Sequence, residues 1–446
     1  MRIVIRNGTV VDPANNTHAA ADVVIEDGVI QELASPGTLP LLAPIAARTA
    51  EHDINAVGCI VAPGLIDLHV HFREPGYEYK ETVQTGAQSA VAGGFSTVAC
   101  MANTNPVNDN GRVTRYIIEK AQAAHLARVL PIGALSKGLQ GEELAALDEM
   151  VEAGIVAVSD DGRPVMDAQL MRQALVACSR LHVPISVHEE DLNLSAGGVM
   201  NEGPTAERLG RKGVPNVAEE VMIARDLVLA RLTGGHVHIA HVSARGSIDL
   251  IRRAKAEGLA VTAEVAPHHF TLTEEAVEEY NTDAKMAPPL RCAADVEAMQ
   301  EGLRDGTLDA IATDHAPHHR DDKALEFARA APGVVGLETA LPLTLQLVEA
   351  GVLSLSAAIQ KLTWNPARIF GLPYGTLSIG APADVVVFDP QQRWTVNPSR
   401  LHSKSKNTPF AGKELKGRVV VTLVDGRIVY DARKIKSQRA NVKCQN

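Results

Sequence analysis

Eight short apolar runs recur along the middle of this 446-residue chain, and their order restricts what it can fold into. Amphipathic segments, such as 111–125, 167–182 and 218–233, lie between most of the runs. Strand-like runs that alternate with helices predict parallel βα units, and eight such units close a (βα)8 TIM-type barrel of the α/β class. Barrel strands are buried on both faces, which fits the nearly continuous apolar character of the runs. The runs are GLIDLHVH, STVACMAN, RVLPIGALS, GIVAVSDD, PISVHEE, HVHIAHVS, AVTAEVAPHH and LDAIATDHAP.

Both ends of the chain are β-rich and differ from the middle. Short β-like stretches there are separated by Asn-Gly and Asp-Gly pairs, which are typical of hairpin turns. We therefore expect a small β-sandwich domain formed by both chain termini, from residues 1–60 and 371–446, with the barrel over 61–370. The polar, basic tail from about residue 433 is expected to be frayed.

Composition excludes several classes of function. A formal net charge of −10 argues against a nucleic-acid partner, and it means that an anionic substrate must be attracted locally by a few cations or metals. The first residues do not resemble a signal peptide, and no apolar run is long enough to span a membrane. The five cysteines are scattered without a Cys-x-x-Cys pair, which favours a reducing, cytoplasmic location.

The first apolar run ends in a His-x-His pair, His69 and His71, within GLIDLHVHFREPG at 64–76. Side chains at i and i+2 of a strand point to the same face, so both imidazoles project together where the strand ends. That arrangement is suited to one metal ion, although a lone pair of histidines is just as often a packing or surface feature.

The ends of the other runs strengthen the metal interpretation. Chemistry in such barrels lies at the C-terminal ends of the strands, and polar side chains that can bind metal converge there. His236 and His238 form a second pair, but they open their strand and so belong to the opposite end of the barrel. His268 and His269 are expected to be packing or outer-layer residues. The strand-end residues are His69, His71, Asn103, Ser136, Asp160, Asp161, His188, His241, His268, His269 and Asp314.

Four histidines and two aspartates exceed the ligands of one catalytic zinc, which takes about three and keeps an open position. They suit two metal ions with a shared bridging group, between which a water is deprotonated near neutral pH and becomes a nucleophile. Asp314, in ATDHAP, is placed to act as ligand and proton shuttle together. Its alternative role is an N-cap for the next helix.

The motifs HVHFREPG, MANTNP, SDDG, VHEED, HVS and ATDHAPH, in this order, resemble the dihydroorotases of the amidohydrolase superfamily, from residue 1 to about 430. The resemblance implies a metal-bearing barrel with a small β domain from both termini. It also implies two zinc ions per subunit, with manganese or cobalt as possible substitutes. His69 and His71 would hold one ion, and His188 and His241 the other.

Many relatives in the superfamily bridge the metals with a carboxylated lysine, and GIVAVSDDG has none. This resembles the dihydroorotase subgroup in which an aspartate bridges instead. Asp161 is the predicted bridge from its position in the motif. Asp160 remains an alternative, because adjacent strand residues point in opposite directions.

The resemblance also implies how a substrate carboxylate is bound. Arginine binds carboxylates bidentately, and Arg73, Asn103 and His318 match the binders of the family. His71 also belongs to the substrate set, and an arginine on the barrel rim could instead pair with a nearby glutamate. The family commonly has asparagine where this chain has Ala287.

The loop over 316–336 resembles a flexible active-site loop, with Pro332 and Gly333 near the substrate. Its alternative is an ordinary surface excursion.

The implied activity is a zinc-dependent cyclic amide hydrolase. It would interconvert N-carbamoyl-L-aspartate and (S)-dihydroorotate in de novo pyrimidine biosynthesis, through a metal-bridging hydroxide. The alternatives are another cyclic amidohydrolase, similar to hydantoinase or allantoinase, and an inactive structural partner of aspartate transcarbamoylase. The expected partners are a small-molecule substrate, a second copy in a homodimer and, in a further complex, aspartate transcarbamoylase.

Overall fold

The computed structural model of the chain describes residues 1–39 and 51–434. The strands of these residues are β1 (Arg2–Asp12), β2 (Thr17–Glu26), β3 (Val29–Ala34), β4 (Glu51–Asn55), β5 (Ile60–Pro63), β6 (Leu65–Val70), β7 (Phe95–Cys100), β8 (Arg128–Pro131), β9 (Ile185–Val187), β10 (Met200–Asn201), β11 (Gly213–Val214), β12 (Val237–Ile239), β13 (Val261–Val265), β14 (Ala310–Ile311), β15 (Val385–Thr395), β16 (Glu414–Val424) and β17 (Arg427–Asp431).

The helices alternate with the strands over the middle of the chain. They are α1 (Val83–Ala92), α2 (Gly111–Ala124), α3 (Leu147–Ala153), α4 (Ala168–Leu181), α5 (Pro204–Leu209), α6 (Val217–Thr233), α7 (Arg245–Ala256), α8 (Ala293–Asp305), α9 (Arg320–Lys323), α10 (Leu337–Glu349), α11 (Leu355–Leu362) and α12 (Trp364–Ile369). None of the described helices is both long and apolar enough to cross a lipid bilayer.

Parallel strands close into the predicted barrel. Strands β6, β7 and β8 form one parallel group, and β9, β12, β13 and β14 form another. The fourth run is reduced to a bridging residue, Val158, which pairs with Gly133 on one side and Ile185 on the other. A parallel bridge between Val70 and His315 joins the last unit to the first. The α/β barrel predicted from the eight runs is therefore confirmed.

The helices begin where the sequence supplies a cap. The side chain of Asn110 accepts hydrogen bonds from the backbone N–H groups of Arg112 and Val113 at the start of α2. Asp167 does the same at the start of α4, where it accepts from Gln169 and Leu170. Such caps satisfy backbone donors that have no partner inside the helix, and each stabilises its helix by about 1 kcal/mol.

The small β domain is one eight-stranded mixed sheet with strand order β17-β16-β15-β5-β1-β2-β3 and with β4 paired to β1. Antiparallel pairing of β5 with β15 joins the N-terminal strands to the C-terminal strands. Side chains such as Ile3, Val61 and Val387 bury completely or nearly so in its core. The prediction that both termini build this domain together is confirmed.

The boundary between the two parts is abrupt at one end. Strand β5 ends at Pro63 and the first barrel strand begins at Leu65, after Gly64. The predicted boundaries at residues 60 and 370 stay predictions. The expectation of a frayed tail falls on residues 435–446, which lie outside the described residues.

Candidate metal centre

Six residues from five barrel units meet at one end of the barrel. His69 lies in β6 and His71 just beyond it, while the other four side chains follow the ends of their strands or, for Asp161, the bridging residue Val158. All six side chains are buried, with 7% exposure or less. The structure therefore brings the predicted ligands together; they are His69, His71, Asp161, His188, His241 and Asp314.

The first cluster contains His69, His71 and Asp161. Nε2 of His69 lies 3.2 Å from Oδ1 of Asp161, and Nε2 of His71 lies 3.4 Å from Oδ2 of the same carboxylate. Nε2 of His69 is buried without a conventional hydrogen-bond partner among the described residues. An orphaned nitrogen that faces a carboxylate is the arrangement expected where an ion binds.

The second cluster contains His188, His241 and, again, Asp161. Oδ1 of Asp161 lies 3.4 Å from Nδ1 of His188 and 3.3 Å from Nε2 of His241. The two imidazole nitrogens lie 2.9 Å apart. One carboxylate is thus shared by two histidine pairs, which is the geometry of a bridging ligand.

The neighbouring Asp160 points elsewhere. Its carboxylate accepts hydrogen bonds from the backbone N–H groups of Leu135 and Ser136 at 2.8 and 2.9 Å, and from the Ser136 hydroxyl. Of the two candidate bridges, the structure therefore places Asp161 at the histidines and uses Asp160 to hold the loop after β8.

Asp314 lies against the first cluster. Its Oδ1 atom is 3.1 Å from Nε2 of His71 and 3.6 Å from Nε2 of His69. Asp314, His241 and Arg73 all have left-handed backbone, with φ of +46°, +34° and +63°. Non-glycine residues in this region are strained, and they concentrate at functional sites where the surrounding structure holds them.

The electrostatics of the site follow from burial and close pairing. Burial disfavours the charged form of each group, but for His69, His188 and Asp161 the opposite charges close by outweigh it. For His71, burial and the charge of Arg73 together lower the pKa. Asp161 and Glu264 raise the pKa of His69 well above its ordinary value, and Asp161 with Glu190 raises that of His188 to about 10. The same histidines hold the pKa of Asp161 well below its usual range. In the metal-free chain, protons on His69 and His188 therefore supply positive charge that metal ions would otherwise supply.

A carboxylate that the sequence reasoning missed orients the first ligand. Oε1 of Glu264, on β13, lies 2.9 Å from Nδ1 of His69, and its second oxygen lies 3.0 Å from Nε2 of His238. The signal was a single acidic residue inside the apolar strand VTAEV. Ring nitrogens of His236 and His238 make hydrogen bonds with Thr262, and His238 makes a further one with Glu264. Neither histidine belongs to the two clusters.

A second missed carboxylate is Asp67, inside β6. It accepts hydrogen bonds from the hydroxyl and the backbone N–H of Thr313 and from the backbone N–H of His69. Burial raises the pKa of Asp67 to about 7. The side chain thus ties the first strand of the barrel to the residue that precedes Asp314.

The histidine pair after β13 lies close to the centre. His268 is buried, and its Nε2 atom has no hydrogen-bond partner among the described residues. Nε2 of His269 lies 3.0 Å from the carbonyl oxygen of Pro288. The expectation that these residues pack or lie outside the ligand set stays a prediction.

Two predicted carboxylate binders meet at the mouth of the barrel. A terminal guanidinium nitrogen of Arg73 lies 3.4 Å from Nε2 of His318, and Nε of Arg73 donates to the carbonyl of Pro317. Asn103 is half-buried, with Oδ1 2.9 Å from Nδ1 of His71. Of the three predicted carboxylate binders, Asn103 therefore contacts a residue of the metal cluster directly.

The remaining predicted substrate residues lie around this mouth. Gly333 is buried and its N–H donates to the carbonyl of Lys285 at 2.8 Å. Ala287 is half-buried and Pro332 is exposed. Among the described residues, no hydrogen bond or ion pair joins the side chains of these last two to the ligand set, so their place in the site stays a prediction.

The loop over 316–336 is tied down rather than free of contacts. Its short helix α9 ends at Lys323, whose buried ammonium donates to the carbonyls of Ala331 and Gly333 at 2.8 and 3.1 Å. The side chain of Asn407 donates to the carbonyls of Ala316 and Gly333. These bonds hold both ends of the loop over the site.

Comparisons with known proteins identify the class. Residues 60–429 match the amidohydrolase family, and the chain belongs to that family. A dihydroorotase from Syntrophotalea carbinolica is 54% identical over 431 residues, which cover 96% of this chain and 99% of the relative. A dihydroorotase from Geobacter metallireducens is 50% identical over 430 residues, covering 96% and 100%. The resemblance to dihydroorotases is therefore confirmed.

Solved structures agree on the fold. An L-hydantoinase (dihydropyrimidinase) from Arthrobacter aurescens superposes with a TM-score of 0.84 at 25% identity, over 96% of each chain. A dihydropyrimidinase from Brevibacillus agri superposes with a TM-score of 0.81 at 22% identity, over 97% of this chain and 95% of that one. The shared fold extends across both the barrel and the small β domain.

Proposed function

We propose that this chain is a dihydroorotase, a hydrolase of cyclic amides that interconverts (S)-dihydroorotate and N-carbamoyl-L-aspartate in pyrimidine biosynthesis. The observation that carries the proposal is the carboxylate of Asp161, shared by two histidine pairs beside Arg73 and His318 at the barrel mouth. Relatives at 50–54% identity over nearly the whole chain bear the name dihydroorotase, whereas the hydantoinases resemble it at 25% identity or less.

The residues present fit a pair of metal ions. The donor set is imidazole and carboxylate, which suits zinc, and Nε2 of His69 has no other hydrogen-bond partner. We propose that His69 and His71 hold one zinc ion, that His188 and His241 hold the second, and that Asp161 bridges them. Bound zinc supplies Lewis acidity, which activates water near neutral pH and polarises a carbonyl oxygen.

Asp314 is the group that we expect to move the proton. Burial alone would raise its pKa, but the hydrogen bond from His71 and the charge of His69 keep the pKa below its usual value. Asp314 is therefore an acceptor at neutral pH, within 3.1 Å of a ligand nitrogen. In hydrolysis it takes a proton from the attacking water and returns it to the departing ring nitrogen, and in ring closure the transfers are reversed.

Arg73, Asn103 and His318 would hold the carboxylate of dihydroorotate. The half-buried guanidinium of Arg73 presents a fixed fork of donors that matches a carboxylate. An uncharged hydantoin ring has no carboxylate and does not need such a fork. The residues expected near the bound ring are Ala287, Pro332 and Gly333. With alanine at 287, the side-chain amide that is common in the family is absent, so we expect either a lower substrate affinity or a backbone group in its place.

The experiment is hydrolysis of L-dihydroorotate by zinc-loaded protein, with His71→Ala and Arg73→Met beside it and hydantoin and allantoin as control substrates. Activity on dihydroorotate alone, lost in both variants, supports the proposal. Turnover of hydantoin or allantoin instead would replace it with another cyclic amidohydrolase. No turnover of any substrate by protein that holds both metals would favour the structural-partner alternative.

We also propose that the chain forms a homodimer through α6. The outward side chains Val217, Val221, Val228 and Leu232 follow one face of this helix and are 46%, 48%, 58% and 66% exposed. Apolar side chains exposed along one helix face are normally covered by a partner. Isologous pairing of two copies through this face would cover all four.

A complex with aspartate transcarbamoylase is a second partner proposal, which rests on the resemblance alone. The cytoplasmic location is likewise proposed from the cysteines. Cys59, Cys100, Cys178 and Cys292 are all free thiols in the part of the chain that the structure describes.

A further inference from the structure

We propose that Lys80 is a positioning residue that fixes which nitrogen of His318 carries the proton. Lys80 would donate to Nδ1 of His318, so that Nε2 carries the hydrogen and donates to the substrate carboxylate beside Arg73. The inference rests on the proposed function of the site and adds a residue that neither the motifs nor the metal clusters include.

The contacts place His318 between two cations. Nζ of Lys80 lies 3.3 Å from Nδ1 of His318, and a guanidinium nitrogen of Arg73 lies 3.4 Å from Nε2. The imidazole is buried, with 9% exposure, and the side chain of Lys80 is 16% exposed. Both partners are thus held close to the ring rather than free in solvent.

The chemistry of the three groups leaves one contact unsatisfied. Lysine ammonium and arginine guanidinium only donate hydrogen bonds, and a neutral imidazole has one donor nitrogen and one acceptor nitrogen. His318 is neutral because burial and the charges of Arg73 and Lys80 lower its pKa to about 2. It can therefore accept from Lys80 or from Arg73, but not from both, and the other contact brings two donors together.

An anion resolves this conflict on one side only. When Lys80 donates to Nδ1, the Nε2–H of His318 and the guanidinium of Arg73 are two donors that converge, and a carboxylate accepts from both. The opposite tautomer would direct its N–H at the Lys80 ammonium and offer the substrate a lone pair. Lys80 thus selects the tautomer that can bind an anionic substrate.

Lys80 is not needed to place the backbone of His318. The backbone N–H of His318 donates to Oδ1 of Asn407 at 3.0 Å, and Asn407 also holds the carbonyls of Ala316 and Gly333. Lys80 makes one further ion pair, with Asp322 of α9 at 3.2 Å. Asp322→Asn removes that pair and leaves the contact with His318, so it serves as the matched control.

The kinetic test compares Lys80→Met, Lys80→Arg and Asp322→Asn with the wild type in hydrolysis of L-dihydroorotate. Loss of one donor to a charged ligand predicts a KM about tenfold higher for Lys80→Met, with kcat within about twofold of wild type. Lys80→Arg keeps a cationic donor and should restore most of the affinity, and Asp322→Asn should change KM by less than about twofold. An unchanged KM in Lys80→Met, or an equal loss in Asp322→Asn, would overturn the inference.

A second measurement reads the tautomer without turnover. In protein labelled with ¹⁵N and ¹³C histidine, the ring signals of His318, assigned by their loss in His318→Asn, should report Nε2–H in the wild type and in Lys80→Arg. Lys80→Met should shift the ring toward Nδ1–H or a mixture. A wild-type ring already in the Nδ1–H form would overturn the inference even if the enzyme is active. An inactive wild type with the Nε2–H tautomer would instead count against the proposed function and leave the role of Lys80 standing.

Discussion

The Oε1 atom of Glu264 lies 2.9 Å from Nδ1 of His69, inside the barrel and beneath the first histidine cluster. A carboxylate in this position fixes the tautomer of the ring, because Nδ1 must carry the hydrogen and leave Nε2 free as a ligand. Both residues are essentially fully buried, so the contact is shielded from solvent. The arrangement of the ligand is thus set by a residue on β13, which is separated from β6 by the last barrel unit.

Glu264→Gln should weaken metal binding without removing a ligand. Neutralising the carboxylate lowers the basicity of the His69 imidazole and weakens the hydrogen bond that orients it. Changes of this kind lower the affinity for metal about 10–100-fold. The measurement is zinc titration against a competing chelator, followed by activity at saturating zinc. Thermal unfolding of the metal-free variant controls for lost stability. An affinity within twofold of wild type would contradict this role for Glu264.

Metal binding should release protons and should strengthen as the pH rises. The pKa of His188 is raised to about 10 in the metal-free chain, and that of His69 is raised as well, whereas a ligand imidazole must be neutral. Each displaced proton changes the apparent affinity about tenfold per pH unit below the raised pKa. Calorimetry at pH 7 in buffers of different ionisation enthalpy counts the protons released. A heat that is independent of the buffer would contradict the prediction.

The same raised pKa has a consequence for the metal-free protein. Because the folded pKa of His188 lies above the ordinary histidine value of 6.5, the stability from its ion pairs is fully present below about pH 6.5. That contribution is lost as the pH rises through about 10. Denaturant titrations of metal-free wild type and His188→Gln between pH 6 and pH 10 should therefore converge at high pH. Curves that stay parallel would exclude the effect.

Gly333→Ala should disturb the loop over the site. Gly333 has φ of +136°, and an added Cβ would lie 2.7 Å from Cβ of Ala316 and 2.9 Å from its carbonyl oxygen. We expect a loss of about 1–3 kcal/mol in the free energy of unfolding, from the strained backbone, and a higher KM for dihydroorotate. Gly351→Ala is the matched control, since its φ is also positive but its surroundings are open. Equal effects of the two substitutions would argue against a special role for Gly333.

Val228→Glu should convert the proposed homodimer into a monomer. Val228 is 58% exposed near the middle of the apolar face of α6, and a charge there would be desolvated on pairing. Light scattering after size exclusion measures the mass, and Val57→Glu, an exposed valine on the small domain, is the control. If Val228→Glu is still a dimer, this face is not the dimer interface and would instead be available to another protein, such as aspartate transcarbamoylase. A wild-type monomer would exclude the homodimer.

Periodicity was enough to predict the barrel. Strand-end position gave eleven candidate residues, and the resemblance to dihydroorotases selected among them the ligands that cluster. Residues at the C-terminal ends of the apolar runs lie close together in the fold, because the parallel strands of a barrel end at the same edge. Local pattern could not choose between Asp160 and Asp161, since both follow the same run. The choice depends on Ser136, whose backbone and hydroxyl hold Asp160 in place.

Glu264, Asp67 and Lys80 were missed for a common physical reason. Each acts through a partner that is distant in the sequence: His69, Thr313 and His318, respectively. An acidic residue inside an apolar strand was the available signal for the first two. Lys80 lies in an ordinary charged stretch of the sequence. Its contact with His318 is apparent only in the folded protein, where the loop over 316–336 packs onto the barrel.

The pairing of β5 with β15 has a consequence for how the chain is made. Residues 60–63 pair with residues 385–388, and about 320 residues lie between the two halves of this pair. During synthesis, the first half is therefore made long before its partner. At about 5–20 residues per second, the ribosome takes on the order of tens of seconds to deliver the second half. Until then the edge of β5 that will receive β15 is unpaired, and an open strand edge is prone to pair with another chain. Newly made protein should be most vulnerable to aggregation during this interval, and protection by chaperones would matter most before the C-terminal strands emerge.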